Sequence, residues 1–424
     1  MDYMYTGNLL IVDLEKGETE EGMLDDALIE SKLGGAAVNA ELFRMYEAKD
    51  PLIIGSGLFT SSMVPGSAMS VVTARSPISA RVMHSPIVNF AGAELKLAGF
   101  DFIVIHGISQ KPVYLWLHDE IADLLPADSI WGQDTWRTVD FIREEQGEER
   151  IQVVSIGRAG ESGGSIAQAV VNYWSEGDKI GLGKRLGDMR LKAIGTRGMG
   201  ELELADPEAF LRLCMEAIDE ARGKVGGARG VDSLMPSLDV KNLPDVRHRD
   251  SACFGCPWPC RTFAKYNEPP SVLKEALEEP GVLIADGPGF ASLLGAGFDA
   301  VAASRLLEAA SRLGVEPVAA SAMIRGAGYD EAKVKLESIA SAKTDVAALP
   351  AVEGACRPDI FSPFAPNGGG EETIALAYVL GICPRYAARA GLDRAEVSEV
   401  IKACTGLEVG PGALAELSRS VLKA

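Results

Sequence analysis

The sequence predicts an α+β fold: an N-terminal β-sheet-rich domain followed by mainly α-helical structure. Three observations predict it. Up to about residue 205, short β-branched runs recur between Gly, Pro and Asp. Beyond that point the apolar spacing becomes helical. The change falls at Asp206-Pro207, a good N-cap and first-turn pair. The expected domains are therefore residues 1–206 and 207–424.

Asn8-Leu-Leu-Ile-Val-Asp-Leu14 is the first expected strand, with a turn at Lys16-Gly17 and a polar return strand. Pro51 to Gly55, Ser70 to Ala74, Phe102 to His106, Pro112 to Leu117 and Ile151 to Ile156 follow as strands. The spacing predicts a helix from Thr135 to Gln146 within this half. In the second half, helices are expected over Glu208 to Ala221, Val301 to Leu313 and Asp393 to Lys402. Gly314 stops the second of these, and Asp393 with Glu396 opens the third as a capping box. Gly223 to Gly230 and Ser362 to Gly370 read as flexible loops.

Lys plus Arg total 41 against 60 Asp plus Glu, a formal charge of −19. That balance excludes nucleic acid and anionic membrane surfaces as expected partners. No apolar stretch approaches the ~20 residues needed to span a bilayer. The N-terminal residues lack the basic and apolar regions of an export signal, so a cytoplasmic protein is expected.

Three of the seven cysteines fall within eight positions, at Cys253, Cys256 and Cys260. This C-x2-C-x3-C spacing brings thiolates to one side of a turn and suits a soft metal centre with one remote ligand. Pro257 and Pro259 stiffen the loop, and Trp258 is placed to shield it. A cubane iron–sulfur cluster fits better than zinc, because there is no second C-x2-C and the four histidines are scattered. Zinc, or no metal, stays as the alternative. Cys214 and Cys404 lie on apolar helical stripes and read as buried small hydrophobes.

Several runs then fit one family in order. They are Asn89-Phe-Ala-Gly-Ala-Glu-Leu-Lys96, Ala98-Gly-Phe-Asp101, Lys111-Pro-Val-Tyr114, Ile130-Trp-Gly132, Ser155-Ile-Gly-Arg-Ala-Gly-Glu161 and Leu191-Lys-Ala-Ile194. With the cysteine spacing, they make the chain resemble a shortened, divergent member of the aldehyde:ferredoxin oxidoreductase family of tungsten-pterin, iron–sulfur enzymes. The resemblance implies aldehyde or carbonyl redox chemistry, a [4Fe-4S] cluster and a tungsten or molybdenum bis-pterin, with the N-terminal β-rich domain as the base for the cofactor. It also implies ferredoxin or another redox subunit as partner, and an oligomer or complex. The family's D-x-x-G-L-C motif aligns with Tyr378 to Cys383, which makes Cys383 the implied fourth cluster ligand; Cys356 is the rival.

The departures are equally specific. The family's helical section between Asp299 and Tyr378 is short here, and no histidine follows His248. Glu275, Glu278 and Glu279 stand near the family's active-site glutamate, with a solvated helix face as the plainer reading. The family's phosphate-contacting arginine aligns with Ala68, and its Asn with Pro86, with Asn89 nearby. Both D-x-x-G-L motifs lack their first Asp, leaving Asp299 as the carboxylate of the earlier one. The expected pterin-side contacts are thus Arg75, Arg81, Asn89, Lys179, Gly181, Gly183 and Asp299. These losses set a second expectation: an electron-transfer or assembly subunit that has lost the tungsten-pterin site.

Overall fold

The computed structural model describes residues 3–178, 180–234, 243–265, 281–343 and 370–423. Lys179, Glu275, Glu278, Glu279, Cys356 and most of the Ser362–Gly370 stretch lie outside the described residues.

Six strands form the first sheet: β1 (Asn8–Asp13), β2 (Glu18–Met23), β3 (Leu52–Ser56), β4 (Ser70–Arg75), β5 (Val82–Ile87) and β6 (Phe102–His106). Their order is β2-β1-β6-β3-β4-β5, with β1 and β6 parallel. Five strands form the second: β7 (Val113–His118), β8 (Ile121–Pro126), β9 (Gln152–Ile156), β10 (Ala169–Val171) and β11 (Leu191–Arg197). Their order is β10-β9-β11-β7-β8.

Side-chain alternation turns these sheets into layers. Leu52 and Ile54 of β3 and Ile103 and Ile105 of β6 face the second sheet, where Leu115, Leu117, Val154 and Ile194 meet them. Ile53, Val71, Phe102 and Val104 point the other way, into a core shared with the last helices of the chain. The outer face of the second sheet carries Tyr114, Trp116 and Val153 against Trp136, Val139 and Ile142 of helix Thr135–Gln146.

From Pro207 the described structure is mainly helical, beginning with helix Pro207–Val225, whose N-cap Asp206 accepts from Ala209 N. A small sheet interrupts it: β12 (Arg247–Ser251), β13 (Arg261–Lys265) and β14 (Gly281–Ile284). Helices Gly287–Gly295, Ala300–Leu313 and Tyr329–Ser341 pack beside it around Phe290, Leu306, Leu307 and Leu336. Helices also occur in the first half, at Gly35–Met45 and Asn89–Leu97. Both are rich in small residues and largely buried, so they show little of the amphipathic contrast that reveals a helix. Among the described residues, no helix is long and apolar enough to cross a membrane.

Candidate metal and redox centre

The C-x2-C-x3-C loop bridges β12 and β13. Gly255 takes φ +64°, a left-handed turn between Cys253 and Cys256. Cys256 N donates to the Cys253 carbonyl at 3.1 Å, and Cys260 N to the Trp258 carbonyl at 2.9 Å. Trp258 is buried, its indole N–H donating to Ser233 Oγ at 3.1 Å. The loop is therefore folded by its own backbone, and Pro257 and Pro259 withdraw no donor that the turn needs.

Cys383 arrives from the far end of the sequence. Helix Glu371–Leu380 ends at Gly381, φ +76°, and Cys383 is the N-cap of helix Pro384–Ala390. Phe59 N donates to the Leu380 carbonyl at 2.8 Å, and Cys383 N to the Gly66 carbonyl at 2.8 Å. The N-terminal loop 57–69 thus seats the fourth thiol.

The four thiols share one electrostatic neighbourhood. Burial pushes Cys253 up to about 12, with Cys383 and Cys260 adding to the rise and Arg261 opposing it. Burial raises Cys256 as well, helped by Cys253, Cys383 and Cys260. Burial also raises Cys383, with Cys260 adding and Arg385 opposing. Thiolates gathered like this repel one another unless a cation sits among them. Among the described residues, no group of three or more His, Cys, Asp or Glu is arranged to hold a single metal ion.

Buried charge surrounds the thiols. Arg261 and Glu176 pair at 3.0 Å, and both are almost wholly buried. Arg385, also buried, donates to the Glu176 carbonyl at 3.4 Å. Arg261 Nε and Glu176 Oε2 have no hydrogen-bond partner among the described residues. Sequence reasoning missed this triad. The one available signal was a guanidinium directly following Cys260.

The pterin-side candidates divide. The 75–81 turn meets the 178–183 turn: Ser76 Oγ donates to the Ile180 carbonyl at 2.7 Å, and Gly181 packs on Pro77 and Ile78. Within that meeting point, Arg75 is engaged by Asp50 at 3.2 Å and Glu47 at 3.5 Å, over the Phe43 ring. Arg81 is exposed. Gly181 has φ +78°, and a Cβ on Gly183 would stand 2.5 Å from the Gln168 carbonyl, so packing alone calls for glycine at both. The backbone N–H groups of Ile180 and Leu182 are donated to the Asp178 carboxylate, each at 3.0 Å. Asn89, at φ +70°, starts helix Asn89–Leu97. Asp299 is exposed and caps helix Ala300–Leu313 through Ala302 N at 2.8 Å. Cys404 and Cys214 are buried in the first core.

The architecture is a layered double-sheet base capped by helices, with Cys383 at the start of helix Pro384–Ala390 and Cys253, Cys256 and Cys260 on the β12–β13 loop. Residues 9–198 match the N-terminal domain of aldehyde ferredoxin oxidoreductase, and this part of the chain belongs to that family. It is 29% identical over 307 residues to the tungsten-containing aldehyde ferredoxin oxidoreductase of Pyrococcus abyssi, covering 69% of this chain and 48% of that one. The Pyrococcus furiosus enzyme of the same name is 31% identical over 224 residues, covering 51% and 37%. The aliphatic sulfonate oxidoreductase WOR-like subunit of Pyrococcus furiosus is 29% identical over 238 residues, covering 50% and 38%. The chain spans about half the length, or less, of these relatives. In fold it is similar to the active site complex BamBC of benzoyl coenzyme A reductase, solved with 1,5-dienoyl-CoA. That likeness has a TM-score of 0.80 and 18% identity, over 100% of this chain and 89% of that one.

Proposed function

We propose that this chain is an iron–sulfur redox protein that passes electrons through a [4Fe-4S] cluster held by Cys253, Cys256, Cys260 and Cys383. The observation that carries this reading is the arrival of Cys383, 123 positions beyond Cys260 in the sequence, within the electrostatic reach of the other three thiols. A cluster there would supply one-electron transfer. The protein's part is to hold four thiolates, exclude water with Trp258 and set the surrounding charge. The electrons serve oxidation or reduction of an aldehyde or another carbonyl, in line with the relatives' names, with ferredoxin or a second redox subunit as partner in an anaerobic cytoplasm.

A second reading has its own observation. Asp178 already occupies loop N–H groups that a pterin phosphate would use. This favours an electron-transfer or assembly subunit of a larger complex, without the tungsten-pterin centre. A relative described as a WOR-like subunit and a fold neighbour described as a complex support membership of an assembly.

Anaerobic purification followed by analysis for iron, sulfide, tungsten, molybdenum and zinc separates the readings. About four irons with about one tungsten or molybdenum per chain supports the enzyme. About four irons alone supports the subunit. Zinc alone overturns both.

A further inference from the structure

Two arginines flank the thiols in sequence and in space. Arg261 directly follows Cys260 on β13, and Arg385 stands two residues after Cys383 in helix Pro384–Ala390. Both are almost wholly buried, at 1% and 3% exposure, so water screens neither charge. Arg261 acts on Cys253, Cys260 and Cys383 together. One carboxylate holds the arrangement: Glu176 pairs with Arg261 at 3.0 Å through Oε1 and receives Arg385 at its backbone carbonyl. Asp286 lies behind it, with its Oδ1 3.3 Å from where a Cβ on Gly177 would stand.

We propose that Arg261 and Arg385, positioned by Glu176, raise the reduction potential of the cluster held by the four cysteines. The inference rests on the cluster reading above. A four-thiolate cubane carries net negative charge, and reduction adds one more electron. Buried positive charge stabilises the reduced form more than the oxidised form, and buried negative charge does the opposite. Arg261 and Arg385 are the charges that oppose the negative charge gathered at the thiols, and Glu176, with Asp286 behind it, offsets part of their effect. These are positioning residues: they touch no substrate and act through the cluster.

The test is an EPR-monitored redox titration of anaerobically purified protein against a viologen mediator. In it the cluster gains one electron from the viologen radical, which returns to its dication. No bond forms and no proton moves. Arg261→Gln is expected to shift the reduction equilibrium at least about tenfold towards the oxidised cluster. Glu176→Gln, which keeps shape and removes the opposing charge, is expected to shift it towards the reduced cluster. Arg261→Lys, which keeps the charge, stays within about threefold of wild type. Should Arg261→Gln fail to fold, the isosteric Glu176→Gln carries the sign. Iron at wild-type level with an unmoved equilibrium, or shifts of the same sign in both neutralised variants, overturns the inference alone. Wild-type protein without cubane iron overturns the cluster reading and this inference with it.

Discussion

Gly57 and Gly381 meet backbone to backbone: a Cβ on Gly57 would stand 2.0 Å from the Gly381 nitrogen. That contact joins the loop after β3 to the turn that delivers Cys383. Gly57→Ala is therefore expected to push the two segments apart, at a cost of about 1–3 kcal/mol. It should also lower the iron content, because the fourth thiol moves with Gly381. Gly223→Ala, in helix Pro207–Val225 with open space around its Cβ, is the control. It should stabilise by about 0.5–1 kcal/mol. Thermal unfolding and iron analysis of the two variants check both statements.

The ligand assignment has a sharp test within the cysteines themselves. Cys383→Ser should lose the cubane signal and most of the iron. Cys404→Ala should keep both and lose only packing, about 1–2 kcal/mol, since Cys404 is fully buried among Val397, Val400 and Ile401. Equal iron in Cys383→Ser and wild type would sink the assignment.

The sequence revealed elements where one signal dominated. Phe102–His106 and Thr135–Gln146 formed with the expected bounds, because a β-branched run and an Asp134-capped periodic stretch each have one reading. β11 (Leu191–Arg197) escaped because Lys192 and Gly195 interrupt its apolar run. Of the candidate centre, the three clustered cysteines were visible by spacing. Cys383 came only through the family resemblance. The Glu176–Arg261–Arg385 triad was not legible, since its members lie 85 and 124 positions apart and only the fold brings them together.

His84 makes stability depend on acidity. It is fully buried on β5, its ring nitrogen 2.7 Å from Thr73 Oγ1, and burial lowers it to about 4. Between that value and the unfolded value of about 6.5, the unfolded chain binds the extra proton and the folded one does not. The stabilisation is complete above pH 6.5 and is lost as pH falls towards 4. The total is about 3 kcal/mol. Urea titrations at pH 7.5 and pH 5 should show a smaller wild-type loss in His84→Gln, which cannot take up that proton. An identical loss in both proteins would remove His84 as the cause.

Three of the runs that carry the family resemblance converge on one side chain. Lys192 of β11 is fully buried and donates to the Gln133 carbonyl at 2.9 Å, the Ile156 carbonyl at 2.8 Å and the Glu161 carboxylate. Glu161 in turn accepts from Gly132 N at 2.8 Å. The Ile130–Gly132, Ser155–Glu161 and Leu191–Ile194 stretches are thus tied by a buried ion pair, so what they share is a clasp of the second sheet. Removing one partner strands a buried charge. Lys192→Met is expected to cost about 3–5 kcal/mol, and the double variant Lys192→Met with Glu161→Leu to recover much of it, because no lone charge remains. Chemical denaturation of the single and double variants measures the coupling. Additive losses would mean that the two charges do not depend on each other. An unchanged cluster spectrum in the double variant would confirm that the clasp serves the fold and not the redox centre.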